Sequence, residues 1–185
     1  MWGSDTFGTQ PDLLSCAKQL SSAYLPIAAV MVSEPIHQAM IDESKKIGVF
    51  AHGFTYGGHP VPAAVALKTL QIYEQRNLLG HVRTIVPRFQ ARLKRLGEHP
   101  LVGEARGVGL LAGVELVADK KARQNFAPAS GVGAFYSTRA QEHGLISRAM
   151  QNDTIGICPP LVITEAEIDE LFDRMERALD DTDAW

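Results

Sequence analysis

The chain has 185 residues, enough for one domain or two small ones with a sizeable core, and its 45% hydrophobic and 21% charged content is that of a folded protein rather than a disordered one. A formal net charge of -3 and a pI of about 6.1, with lysine and arginine scattered rather than striped, exclude the basic field that holds a nucleic-acid backbone. No apolar run approaches the roughly 20 residues that cross a bilayer, and the opening Met-Trp-Gly-Ser-Asp lacks the basic and apolar regions of a signal peptide, so a cytoplasmic protein is expected.

Residues 1–11 read as a turn-rich entry with neither helical nor strand period. Leu13 to Ala17 and Ile27 to Val32 are short apolar runs, the second rich in β-branched residues, and both suit buried strands. The loop between them carries Lys18. Two readings of this lysine stand side by side. It can snorkel its ammonium to water along an apolar wall. Alternatively, apolar surroundings disfavour the ammonium and leave a neutral, nucleophilic amine able to hold an aldehyde cofactor.

Ser33 has the character of an N-cap, with Pro35 early in a helix whose inner side would carry Ile36, Met40 and Ile47 before Gly48 ends it. Phe50 to Pro60 is a glycine-bearing loop running into the next helix. A helix start offers unpaired N–H groups and Thr55 adds a hydroxyl, so the loop is either an anion site or a tight turn; the two readings balance. From Val61 to about Arg76 a helix apolar nearly all round is expected to be buried, and a second helical pattern, Val82, Ile85, Val86, Phe89, Leu93 and Leu96, follows with a kink at Pro87.

After Pro100 short β-like runs appear, Val102 to Ala105 and Gly109 to Val117. Gly107-Val-Gly109 is no dinucleotide fingerprint, because Ala112 stands where G-x-G-x-x-G needs glycine, and a bulge or close-packing role suits these glycines better. Val132 to His143 can make a helix closed by Gly144, and Leu145 to Arg148 and Thr154 to Cys158 read as strands joined by Gln151-Asn152-Asp153. Thr164 and Glu167 form a capping box before a last helix with the apolar stripe Ile168, Leu171, Phe172, Met175 and Leu179; its acidic face reads as solvated surface. Arg148 either pairs with a structural carboxylate or stands free to clasp an anionic substrate. Cys16 and Cys158 read as two reduced thiols, and no histidine or cysteine spacing indicates a metal.

Four stretches in order resemble the class III, fold type I, pyridoxal-phosphate aminotransferases, in particular their omega or amine:pyruvate branch. They are Pro11-Asp-Leu-Leu-Ser-Cys-Ala-Lys18-Gln-Leu-Ser-Ser-Ala-Tyr24-Leu-Pro26, His52-Gly-Phe-Thr55-Tyr-Gly-Gly-His59-Pro60, Arg106-Gly-Val-Gly109, and Cys158-Pro-Pro-Leu-Val-Ile-Thr164. The resemblance implies an α/β chain: residues 1–59 as the end of the large cofactor-binding domain, 60–98 as connecting helices, and 99–185 as the small C-terminal α/β domain with a short antiparallel sheet.

By the same resemblance the cofactor is pyridoxal 5'-phosphate, with Lys18 forming the internal aldimine and later shuttling a proton. Thr55 holds the cofactor phosphate of the neighbouring subunit of a homodimer. Arg148 clasps the carboxylate of an amino or keto acid and swings aside for an uncharged amine, although the turn before Pro159 carries one residue more than the usual pattern. The implied reaction moves an amino group from an omega-amino acid or amine to a keto acid such as pyruvate. Enzymes of that family are much longer, and the motif of their pyridinium-binding aspartate has no counterpart here, since neither Asp5 nor Asp12 occupies its place. Their early phosphate-binding loop and their ring-stacking aromatic are also missing from these residues. The chain therefore reads as the C-terminal part of an aminotransferase; the competing reading is a catalytically silent module for oligomerisation or interaction.

Overall fold

The computed structural model describes residues 2–185, and these divide into a first unit, residues 2–77, and a second, Leu78–Trp185. The first unit opens on a short helix, α1 (Gly3–Phe7), where the sequence suggests only turns. The Asp5 carboxylate accepts from the Trp2 amide at 3.1 Å, satisfying one donor that the helix start leaves over, and this bond holds the Asp5 carboxyl below its ordinary value.

Strands β1 (Leu13–Cys16) and β2 (Ala29–Val32) pair antiparallel, with Leu13 opposite Val32 and Cys16 opposite Ala29. The two expected strands exist, but their expected burial does not: β2 is exposed throughout, Val30 at 67%. A two-stranded ribbon covers neither of its own faces. Asp12 closes the open end of the ribbon, accepting from the Ser33 amide at 2.8 Å and from the Ser33 hydroxyl at 3.1 Å. Ser33 then starts α2 (Glu34–Ile47), which Gly48 ends at φ 100. Ile36 and Met40 are half-buried on it, whereas Ile47, expected on the inner side, is 83% exposed. Helix α3 (Pro60–Gln75) is also less covered than its composition suggests. It buries only Ala66 and Thr69, because an all-round apolar helix needs neighbours on several sides.

The second unit begins with α4 (Leu78–Leu96), which runs unbroken through Pro87 and buries Ile85, Phe89, Leu93 and Leu96, as their spacing dictates. A hairpin follows, β3 (Val102–Val108) and β4 (Leu111–Leu116), turned at Gly109 with φ 62. Gly107 is a close-packing position, since a Cβ there would meet the Leu111 carbonyl oxygen at 2.7 Å. After α5 (Val132–Glu142) come β5 (Arg148–Ala149) and β6 (Thr154–Ile157), giving an antiparallel sheet in the order β3-β4-β6-β5. The expected α/β class with a short antiparallel sheet is the observed one.

Helix α6 (Glu165–Asp183) starts at the foreseen capping box: the Thr164 hydroxyl accepts from the Glu167 amide and the Glu167 carboxylate from the Thr164 amide. Its apolar stripe completes a core in which Phe172 meets Phe89 edge-on, ring centroids 5.2 Å apart, beside buried Tyr136, Leu116 and Ile155. The acidic face of α6 is more than solvated surface. Arg88 binds Asp169, Arg92 binds Asp169 and Asp173, and Arg95 lies 3.4 Å from Glu176.

Candidate functional site

Lys18 stands one residue beyond β1, after Ala17, in the 3-10 turn Lys18–Leu20 that begins the return to β2. Its φ is 52, and Ser22 and Ala23 follow at 49 and 61, so three non-glycine residues of one loop occupy the left-handed region. Each of these costs on the order of 1–2 kcal/mol relative to an ordinary conformation. Strain of this kind persists only where surrounding bonds hold it, and it concentrates at functional sites. The Lys18 carbonyl accepts from the amides of Ser21 and Ala23 at 3.2 and 3.3 Å, and the buried Ser21 hydroxyl donates to the Leu25 carbonyl at 2.6 Å.

Lys18 lines a hollow of about 340 Å³ whose other walls are Ser15–Ala17 and Ala28–Val30, mostly small residues. Cys16 shares this hollow as a free thiol. The lysine side chain is exposed, and among the described residues its amine has no hydrogen-bond or ion-pair partner. These residues do not supply the apolar enclosure that the neutral-amine reading needs, so any desolvation of the amine must come from what fills the hollow.

Thr55 lies in the turn Thr55–Gly58, closed by the Gly57 amide on the Phe54 carbonyl at 2.7 Å and the His59 amide on the Tyr56 carbonyl at 3.2 Å. The anion-site reading placed donors at the start of the following helix, and the structure moves them. Pro60 and Pro62 have no N–H, the Val61 amide donates to His59 Nδ1 at 3.2 Å, and the Ala63 amide donates to the His59 carbonyl at 3.3 Å. The helix start therefore has no donor to spare. Within the turn itself, the Thr55 hydroxyl and the amides of Thr55, Tyr56 and Gly58 have no partner among the described residues. A larger hollow, about 900 Å³, lies between Pro26–Ala28 and this turn, and Ala28 is a wall common to it and to the lysine hollow. Lys18 lines the smaller space, and Phe54 and Tyr56, the neighbours of Thr55 in sequence, line the larger one that adjoins it.

Arg148 belongs to the second unit, on the edge strand β5 opposite Gly156. It is exposed and makes no ion pair among the described residues, so the structural carboxylate weighed for it is not found. The strand β5 is joined to β6 by the turn Gln151–Asp153. Asn152 and Asp153 adopt φ 56 and 48 there, and the Asp153 carboxylate accepts from the Gly133 amide at 2.9 Å.

Sequence reasoning missed Tyr73, Ser22 and the His59 ring. The Tyr73 hydroxyl lies 2.9 Å from both the Gln19 carbonyl and the Ser22 hydroxyl, which ties α3 to the lysine turn across more than fifty residues. No spacing rule marks such a contact, because it joins a helix to a loop remote in the chain.

Residues 1–179 match the profile of the family described as Aminotransferase class-III. A curated relative, gamma aminobutyrate transaminase 3, chloroplastic, from Solanum lycopersicum, is 44% identical over 183 residues, 99% of this chain and 35% of its own. Among solved structures, a transaminase from directed evolution by ancestral reconstruction aligns at a TM-score of 0.97 with 45% identity, over 100% of this chain and 41% of its own. A transaminase solved with L-alanine aligns at 0.94 with 48% identity, over 99% of this chain and 43% of its own. The chain thus spans less than half of the length of each of these proteins, 35% to 43%.

Proposed function

This chain belongs to the class-III aminotransferases, and from that premise we propose that it carries the lysine side of a transaminase site, one that moves an amino group from an omega-amino acid or amine to a keto acid such as pyruvate. Enzymes of this class work with pyridoxal phosphate, which when bound supplies the electron sink that lets a proton leave the carbon beside the amine nitrogen. The residues present fit such a group. An unpaired lysine amine lines a hollow of about 340 Å³, walled by small side chains that leave room for a ring, and partner-free donors stand at Thr55.

In this reading the Lys18 amine is the attachment point and, once displaced by an incoming amine, takes and returns the proton at the substrate carbon. The Thr55 hydroxyl donates to a phosphate oxygen across the interface of a homodimer. Arg148, exposed and without an ion pair, is available to clasp a substrate carboxylate bidentately and to move away for an uncharged amine. The 4-aminobutyrate named for the Solanum lycopersicum relative is an omega-amino acid, and L-alanine is what pyruvate becomes on accepting an amino group; both names support the proposed substrate classes.

The observation that carries the proposal is the strained, glycine-free turn that presents Lys18 to its own hollow. The test is to add pyridoxal phosphate to the purified protein and record the absorbance of the lysine-bound cofactor. The band should vanish completely in Lys18→Ala, and an undiminished band in that variant would sink the assignment. A second reading, a module for oligomerisation or interaction without turnover, draws support from the self-contained core of the second unit. Light scattering combined with an amine:pyruvate assay separates the two, because robust turnover rules out a silent module.

A further inference from the structure

The turn that carries Lys18 contains no glycine, yet Lys18, Ser22 and Ala23 all have positive φ. Glycine is the residue that adopts this conformation without steric penalty, so a loop built from Lys-Gln-Leu-Ser-Ser-Ala needs an outside hold. That hold comes from α3. The single Tyr73 O–H donates to the Gln19 carbonyl at 2.9 Å, and this leaves the Ser22 hydroxyl to donate to the Tyr73 oxygen, also at 2.9 Å. The two anchored residues bracket the turn: Gln19 adjoins Lys18, and Ser22 is the first of the other two strained positions.

A lysine side chain is a flexible four-carbon stem and does not set its own direction. Its aim comes from the backbone, and relaxing φ at Lys18 from the left-handed region to an ordinary one redirects Cβ. We propose that Tyr73 is a positioning residue for Lys18, holding the turn in its left-handed form through Gln19 and Ser22 so that the amine faces the hollow. The inference rests on the reading of Lys18 as the cofactor's attachment point.

The experiment compares the wild-type protein with Tyr73→Phe, Ser22→Ala, the double variant and Lys18→Ala. Each is mixed with pyridoxal 5'-phosphate and quenched with borohydride at timed intervals, and the pyridoxyl mass on the Lys18 peptide is quantified. The pH at which the absorbance band titrates and the urea unfolding midpoint are read in parallel. Tyr73→Phe is expected to slow capture roughly fivefold, the worth of one ordinary hydrogen bond, and to move the titration midpoint while leaving the unfolding midpoint in place. The double variant should be no slower than Tyr73→Phe alone, because both hydroxyls act in one network. Wild-type capture and titration in Tyr73→Phe, or a slowing matched by loss of the fold, overturns the role of Tyr73. A band that survives Lys18→Ala overturns the attachment reading itself, which keeps the two failures distinct.

Discussion

The two units use similar residues to opposite ends. In the second, alternation along β4 and β6 and the stripes of α4 and α6 close on one another, leaving Phe89, Tyr136, Phe172 and Ile155 fully buried. In the first, equally apolar stretches close on nothing: β2 is exposed along its length, and the buried positions are Ser21, Ala66 and Thr69. Apolar content therefore does not by itself make a core; the second unit has partners for each apolar face and the first does not. The polar bonds of the first unit are instead spent on shape. Asp12 holds Ser33, Tyr73 holds Gln19 and Ser22, and His59 caps α3.

The largest expected effect sharpens that contrast directly. Phe172→Ala should destabilise the second unit by about 3–5 kcal/mol through lost transfer energy and a residual cavity, whereas Val30→Ala in the first should stay within about 0.5 kcal/mol. Hydrogen exchange at the amides of β4 and β6 reads the first, and urea unfolding compares the pair. Equal losses from the two truncations would break the comparison.

A smaller effect is expected at the start of α6. Thr164→Ala removes the hydroxyl that accepts from the Glu167 amide, and should lower stability by about 1 kcal/mol in the same unfolding assay. Thr164→Ser retains the acceptor and should recover most of it.

The smallest effect is that of acid on the second unit. Hydrogen bonding from Arg88 first, then charge from Arg88 and Arg92, holds the Asp169 carboxyl below its ordinary value of 3.8. His143 and then Arg139 do the same for Asp181. A depressed carboxylate pKa gives a contribution that is complete above the unfolded value and lost as pH falls through the folded one. Thermal midpoints should therefore be steady from about pH 5 to 8 and decline below the carboxylate range, less steeply in Asp169→Asn. A midpoint equally flat into acid in both proteins would remove these pairs from the balance.

Much of this molecule is written in its local pattern. The stripe from Ile85 to Leu96, the capping box at Thr164, the strand at Thr154 and the four motif stretches around Lys18, Thr55, Arg106 and Cys158 follow from residue order, because helix period, capping and motif spacing are properties of neighbours in sequence. Burial is not such a property. The runs at Leu13, Ile27 and Val61 look like core but are only partly covered or exposed, since exposure depends on what lies across from a face. The same limit hid the donors at Thr55, where two prolines and the His59 ring leave the start of α3 with none to offer, and the arginines of α4 that meet the acidic face of α6. Lys18 shows the division within a single residue. Sequence singled out this lysine within a family motif; only the tertiary structure shows what its turn is tied to, because the Tyr73 hydroxyl that meets Gln19 and Ser22 comes from a helix more than fifty residues away.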